Sequence, residues 1–315
     1  MEPAVRQTRS HLMQLFERHG YHPRFKLGQN FLIDINIIEF VVRSGELTSN
    51  DVVLEVGAGT AGMTTFLAEQ AGHVVSVEID RNMFQLASEA IAPYSNVTLL
   101  NVDALKGKNH LNPAVLEEVE RQLAVSPERR LKLVANLPYS VATPVIANLI
   151  ATELPWTRMV VTIQYELGLR MQALPASEDY GALSVWLQSQ CQVEILKKVG
   201  PTVFWPRPKV DSAIVQLLPD ETASAHILNR PFFHDYIRRV FNYRRKLLRG
   251  VICGMYRDQL EKSQIDSLLA ELGLLETVRA EELDVAQHIQ LGNRLFQMLQ
   301  HVSLDDAAAD ELTLE

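Results

Sequence analysis

The chain has 315 residues, more than one typical domain of roughly 100–200, so two domains are the leading expectation. Apolar residues make up 47% and charged residues 22%, as in ordinary globular proteins, which excludes a mostly disordered, collagenous or low-complexity chain. Two cysteines, Cys191 and Cys253, exclude a disulfide framework or a thiolate zinc site and fit a reducing cytosol, while a formal net charge of −8 confines any nucleic-acid contact to a local basic patch. No apolar run approaches the roughly 18 residues of a membrane span, so a soluble, cytoplasmic protein with no membrane partner is expected.

Residues 1–26 read as a basic arm, the first 30 holding five Lys/Arg against two acids. Lys26-Leu-Gly-Gln-Asn-Phe-Leu32 then reads as a loop, and Asp34 is placed to cap a helix running through residue 42. Residues 52–56 predict a buried strand, 57–62 a turn, 63–70 a helix and 74–78 a second strand, together a βαβ unit. The alternation continues with a helix at 82–91, strands at 97–101 and 131–135, a helix at 143–151 and a strand at 159–163, which implies an open, mostly parallel α/β sheet. Residues 106–130, polar with a helical stretch at 113–123, read as an insertion over the sheet's edge. Late strands are expected at 191–199 and 212–218, joined by the Pro-rich segment 201–208. From Pro231 the pattern is helical, with Ile237, Val240, Phe241, Leu247, Leu248, Val251, Ile252 and Met255 on one stripe. The expected organisation is therefore the arm 1–26, a doubly wound sheet domain 27–222, a small all-helical domain 223–300 and a disordered acidic tail 301–315.

Gly57-Ala-Gly-Thr-Ala-Gly62 between a strand and a helix, with Glu78 at the tip of the next strand, is the fingerprint of a nucleoside cofactor, whose ribose hydroxyls the carboxylate accepts. Alone it does not choose the cofactor, and a glycine loop needed only for packing is the plain alternative. Glu55, just before the turn, would be repelled by a pyrophosphate but favoured beside a sulfonium or ammonium. Asp103, closing the third strand, suits either an adenine amino group or an ordinary helix cap. Asn136-Leu-Pro-Tyr139 follows the fourth strand. An adenine exocyclic amine is a poor nucleophile, and Asn136 Oδ1 and the Leu137 carbonyl can orient it by accepting its hydrogens. Pro138 stiffens the turn and Tyr139 offers a stacking face, although Asn and Pro are also common turn residues.

Tyr236 to Arg257 carries seven Lys/Arg and no acid. Arg238, Arg239, Arg244, Arg245, Lys246 and Arg249, with Arg207 and Lys209 further upstream, form the basic surface the net charge demands. A basic amphipathic helix also suits a solvated face, a membrane surface or a partner helix. His19 and His22 have no third ligand nearby in sequence, so no metal is expected.

The sequence resembles the KsgA-type family of small-subunit rRNA adenine N6,N6-dimethyltransferases, relatives of the Erm large-subunit rRNA enzymes and the mitochondrial rRNA methyltransferase/transcription factors. The resemblance spans about residues 20–300 and rests on Leu27-Gly-Gln-Asn-Phe-Leu32, Glu55-Val-Gly-Ala-Gly59, Val77-Glu-Ile-Asp80, Asp103-Ala-Leu105, Asn136-Leu-Pro-Tyr139, Gln164-Tyr-Glu166, Phe204-Trp-Pro-Arg-Pro-Lys-Val210 and Phe241-Asn-Tyr-Arg-Arg-Lys-Leu247. It implies a Rossmann-like methyltransferase sheet, S-adenosylmethionine held by Asn30, Leu32, Gly57, Glu78, Asp103 and Asn136, and a target adenine held by Asn136 to Tyr139. It implies as substrate small-subunit rRNA within an immature ribosomal subunit, and the enzyme is expected to act as a monomer. Three departures from the family pattern are Ala61, where a bulkier residue is usual, Asn101 in place of a glycine, and residues 106–130, which are longer than expected.

Overall fold

The structure, a computed structural model, describes residues 7–24, 27–107 and 110–312, with side chains through Gln300. The chain forms two compact units, one running to Gly168 and including Val193–Pro219, the other comprising Leu169–Gln192 and the chain from Asp220. Residues 169–192, expected inside the sheet domain, thus belong with the C-terminal helices.

The chain opens with α1 (Arg9–His19), β1 (Phe31–Leu32) and α2 (Ile35–Ser44), the last capped by Asp34 Oδ1, which accepts from the Asn36 and Ile37 amides. Within the expected arm, α1 is a formed helix. Its Leu12 and Phe16 are buried against Phe31, Met83 and Leu86, an apolar spacing of four that the basic residues mask in the sequence.

The alternation follows as read: β2 (Asp51–Val56), α3 (Thr64–Ala68), β3 (His73–Val77), α4 (Arg81–Ile91), β4 (Val97–Leu100), α5 (Pro113–Leu123), β5 (Arg130–Asn136), α6 (Ala142–Ile150) and β6 (Trp156–Gln164). Then come α7 (Tyr165–Met171), α8 (Ala182–Gln188), β7 (Cys191–Val199), β8 (Phe204–Trp205) and β9 (Ser212–Pro219). The seven-stranded sheet has the order β4-β3-β2-β5-β6-β9-β7, parallel from β4 to β6, with β9 antiparallel to β6. Every residue of β2 is buried, as a parallel strand covered on both faces requires. Residues 106–130 are not an edge insertion. They carry α5, which packs on β2, β3 and β5 as the crossover from the edge strand back to the centre. Its buried Val115, Val119 and Gln122 were outweighed in the sequence by the charges around them.

From β2 the chain winds outward to β3 and β4, and then resumes on the other side at β5. The C-terminal ends of β2 and β5 therefore flank the switch point, where open α/β sheets bind ligands.

The second unit contains α9 (Glu221–Ala225), α10 (Arg230–Phe241), α11 (Leu248–Met255), α12 (Lys262–Glu271) and α13 (Val285–Leu312) together with α8. Phe233, Tyr236, Ile237 and Val240 of α10 meet a core completed by Val251, Ile252, Ile265, Leu268, Leu291 and Leu295. The expected stripe breaks at residues 242–247, where the Asn-Tyr-Arg-Arg-Lys turn separates α10 from α11 and leaves Leu247 48% exposed. α13 extends past the expected end of the helical domain, and the acidic residues of the expected tail fall beyond the described side chains. No helix among the described residues is long and apolar enough to cross a membrane.

Candidate functional site

The strand ends at the switch point enclose a cavity of about 280 Å³, near the lower end of small-molecule pockets, which start at roughly 300 Å³. Its floor is the glycine turn. Gly57 has φ +88°, and a Cβ there would come within 2.9 Å of Pro138 Cδ; at Gly59, φ +57°, a Cβ would meet the Phe31 ring at 3.0 Å. Only glycine meets both demands at both positions. Ala61, also at positive φ, is fully enclosed, so its small side chain is what the turn can hold.

Glu78, 6% exposed, accepts from the Gly59 amide through Oε2 and from the Asp80 amide through Oε1, each at 2.8 Å. Burial raises its carboxyl above the ordinary range, against the pull of the two amides. Glu55 is fully enclosed. Its Oε2 accepts from Thr64 and Ser76 hydroxyls, both at 2.6 Å, and burial outweighs those bonds to push the carboxyl up to about 7. Asp103 also lines the cavity but is exposed, its Oδ1 closing a local turn on the Leu105 amide instead of capping a helix. With Asp103 the described lining holds three carboxylates and no Lys, Arg or His. A pyrophosphate would face uncompensated repulsion there, whereas a cationic ligand is favoured.

The opposite wall is Asn136 to Tyr139. Asn136 Nδ2 donates to the Asn30 carbonyl at 2.9 Å, which turns Oδ1 away as the remaining acceptor. The Leu137 amide is held by the Thr162 carbonyl at 3.1 Å, and the Tyr139 hydroxyl lies 2.6 Å from Ser212 Oγ, fixing the ring. Burial raises the Tyr139 phenol further above neutrality, so it is not a proton acceptor. Leu32 lines the cavity as well, and all six residues expected at the cofactor and all four expected at the target base converge on this one space.

Several residues here were not singled out as functional by sequence reasoning. Asp80, 3% exposed, gathers Gln29 Nε2 at 2.9 Å and Arg24 Nε at 3.4 Å, tying the N-terminal loop to the end of β3. Gln7 Nε2 donates to the Thr60 carbonyl at 2.7 Å and its Oε1 accepts from the Thr60 hydroxyl. Asn101 Nδ2 donates to the Glu78 carbonyl at 2.8 Å, so the residue that replaces the usual glycine braces the same strand end. Ile79 is 49% exposed in the cavity wall, an apolar surface beside Glu78. The signal available for Asp80, Gln29 and Ile79 was their adjacency to Glu78 and Asn30; for Gln7 there was none.

The basic residues divide. Arg238, Arg245 and Lys246 of the helical unit are exposed, Lys246 lying 4.5 Å from the Tyr243 ring centroid. Arg239 bonds the Met255 carbonyl at 2.7 Å, Arg244 the Glu178 and Tyr180 carbonyls at 2.9 and 3.3 Å, and Arg249 grips Asp266 through two bonds. The expected even basic surface is thus part structural brace and part open charge. In the sheet unit Arg207 and Lys209 are both exposed. Among the described residues no cluster of His, Cys, Asp and Glu has metal-binding geometry.

Comparison with known proteins adds to this geometry. The family model described as ribosomal RNA adenine dimethylase matches residues 20–296. A Pediococcus pentosaceus protein named ribosomal RNA small subunit methyltransferase A is 39% identical over 282 residues, covering 89% of this chain and 92% of that one. A Lachnoclostridium phytofermentans protein of the same name is 37% identical, covering 89% and 94%. Among solved structures, a dimethyladenosine transferase from Plasmodium falciparum superposes with a TM-score of 0.69 at 24% identity, covering 84% of this chain and 97% of its own. The 23S rRNA methyltransferase ErmE does so at 0.58 and 22%, covering 84% and 99%. These likenesses carry the Rossmann-like methyltransferase fold.

Proposed function

The chain belongs to the ribosomal RNA adenine dimethylase family, and on that premise we propose that it transfers methyl groups from S-adenosylmethionine to the N6 amines of adjacent adenosines in small-subunit rRNA. The observation that carries the cofactor assignment is the cavity lined by Glu55, Glu78 and Asp103 with no cation, which fits a ligand bearing sulfonium and ammonium charge and disfavours a dinucleotide. Glu78 would take the ribose hydroxyls, Ile79 and Val102, which also lines the cavity, the faces of the adenine, Asp103 its amino group, and Asn30, Leu32, Gly57 and Asn136 the remaining length. Bound there, S-adenosylmethionine supplies an electrophilic methyl group.

The rest is the work of the chain. Asn136 Oδ1, aimed by the bond to Asn30, and the Leu137 carbonyl accept the hydrogens of the target amine and point its lone pair into the cavity. Tyr139 stacks on the extruded base, its ring held by Ser212. Alignment of this kind makes the transfer effectively unimolecular, a gain that reaches about 7–11 kcal/mol. No strong base is required, because the amine proton becomes acidic only as the new bond forms and leaves to water. After one transfer the nitrogen keeps a lone pair and one hydrogen for Asn136 or Leu137, so the monomethylated base binds productively and a second transfer follows.

The substrate in this reading is an immature small ribosomal subunit in the cytoplasm, met by a monomer. A chain of net charge −8 is repelled by bulk RNA, and a folded RNA surface that engages the exposed Arg238, Arg245 and Lys246 of the helical unit at once offsets the repulsion, with Arg207 and Lys209 of the sheet unit as further phosphate contacts. Radiolabelled methyl transfer to immature small subunits, protein-free small-subunit rRNA, large-subunit rRNA and DNA, followed by mass spectrometry, tests it. N6,N6-dimethyladenosine in the small-subunit particle is expected, and only monomethyl product or transfer to DNA refutes the assignment.

A further inference from the structure

A second cavity, of about 340 Å³, lies beside the two-stranded β1–β8 sheet and is lined by Arg9, Ile33, Thr202, Trp205, Pro206 and Arg207, with the buried Phe204. Arg9 and Arg207 are both exposed, and neither guanidinium has a carboxylate partner among the described residues. Two arginines with no carboxylate partner, both lining one small space, make that space favourable for an anion although the chain as a whole carries −8. Trp205 is held in place from within, its ring 6.2 Å from that of Phe31 and edge-on to that of Phe16 at 5.3 Å.

A bare anion would use the two arginines and leave the indole and Pro206 idle. A nucleotide uses all four, with its phosphate between the guanidiniums and its base on the indole. The position fits the same occupant. Phe31 pairs with Trp205 and Leu32 with Phe204; the first of each pair lines the cofactor cavity and the second lines this one. One pair of strands, roughly 5 Å apart, therefore separates the two spaces.

We propose that this cavity is a subsite for an unstacked nucleotide of the RNA substrate next to the target adenosine, with Arg9, Trp205 and Arg207 as its recognition elements; the assignment rests on the rRNA methyltransferase reading. Because the chain has three tryptophans, 5-fluorotryptophan labelling gives three fluorine resonances, that of Trp205 being identified with Trp205→Phe. Titration with a single-stranded small-subunit RNA fragment spanning the target adenosines, at low ionic strength and to saturation of binding, should move the Trp205 resonance. Arg9→Ala/Arg207→Ala should raise the RNA Kd at least tenfold and reduce the salt slope by about 0.7, the share of one phosphate on a single strand, with S-adenosylmethionine affinity unchanged. Inorganic phosphate at matched ionic strength should leave the resonance in place; an equal shift with phosphate would overturn the nucleotide in favour of a simple anion site. A Trp205 resonance that stays still while the RNA fragment saturates binding, or wild-type RNA binding by the double variant, overturns the subsite and leaves the methyltransferase reading standing. Absence of methyl transfer to any RNA by the wild-type chain overturns that reading itself.

Discussion

Glu55 is the group whose behaviour tests most directly whether the cavity is built for a cation. Its carboxylate is removed from water and retains only the Thr64 and Ser76 hydroxyls, which places its titration near 7 instead of near 4.5. Below about pH 4.5 both folded and unfolded chains hold the proton and the group has no effect on stability. Between 4.5 and 7 the folded chain keeps a proton that the unfolded chain has released, so stability falls as pH rises, at about 1.4 kcal/mol per unit for a total of about 3 kcal/mol. Above 7 the penalty is constant. Glu55→Gln keeps an oxygen for the two hydroxyls and removes the ionisation, while the buried His288 and Glu78 titrate in both proteins, so in urea denaturation from pH 5 to 8 the stability of the wild type relative to the variant should fall up to about pH 7 and then level off.

A bound cation reverses the sign of that penalty, because it favours the ionised carboxylate and lowers its pKa. Near pH 7 the ligand-free group is about half protonated, so S-adenosylmethionine binding should expel about half a proton. Calorimetric titration in buffers of different ionisation enthalpy reads this number directly, and Glu55→Gln should lose it. Binding to wild type should also tighten from pH 6 to 8 and should be flatter in the variant. Parallel stability profiles, or equal proton release by both proteins, would refute the picture of a buried carboxylate awaiting a positive ligand.

Glu78→Ala should weaken S-adenosylmethionine about 10- to 150-fold by calorimetry, the worth of a charged hydrogen bond of about 1.5–3 kcal/mol, and should lower Tm because the Gly59 and Asp80 amides lose their acceptor. NAD should not bind measurably. Asn136→Ala should reduce single-turnover methyl transfer more than it reduces cofactor affinity, by about 5- to 150-fold for a missing bond of about 1–3 kcal/mol; unchanged turnover would move the chemistry elsewhere. Tyr139→Ala should lose about 1–3 kcal/mol of base stacking, while Tyr139→Phe, which gives up only the Ser212 contact, should stay close to wild type in RNA binding. Arg238→Glu/Arg245→Glu/Lys246→Glu should weaken particle binding and flatten its salt dependence by about 0.7–0.9 for each phosphate no longer neutralised, with Tm retained. Arg244→Glu should instead lower Tm, since it breaks the bonds to the Glu178 and Tyr180 carbonyls.

What the sequence made legible follows from how each feature is encoded. Strands β2, β3, β5 and β6 are runs of buried Val, Leu and Ile, and the glycines at 57 and 59 are imposed by close backbone approach; both are local demands, and both were readable. That Gly57, Glu78, Asp103 and Asn136 would meet in one space was readable because each follows a strand of a parallel sheet, which gathers its strand ends at one edge, whereas Asn30 and Leu32, outside that sheet, were reached only through the family resemblance. Helix α1 was obscured, and α5, expected as a helix at 113–123, was misplaced as an insertion, because their buried positions are few and lie among charges until the sheet they cover is present. The basic residues expose the deeper limit. Arg244 and Arg245 are neighbours of one type, yet one braces two carbonyls from residues 64 to 66 positions away and the other faces solvent. Nothing local distinguishes them, because whether a guanidinium is open to a phosphate depends on which carbonyls and carboxylates the fold brings beside it. Charge density in the sequence therefore locates a basic surface, but the set of arginines that can exchange their water for RNA is decided only by the tertiary partners of each one.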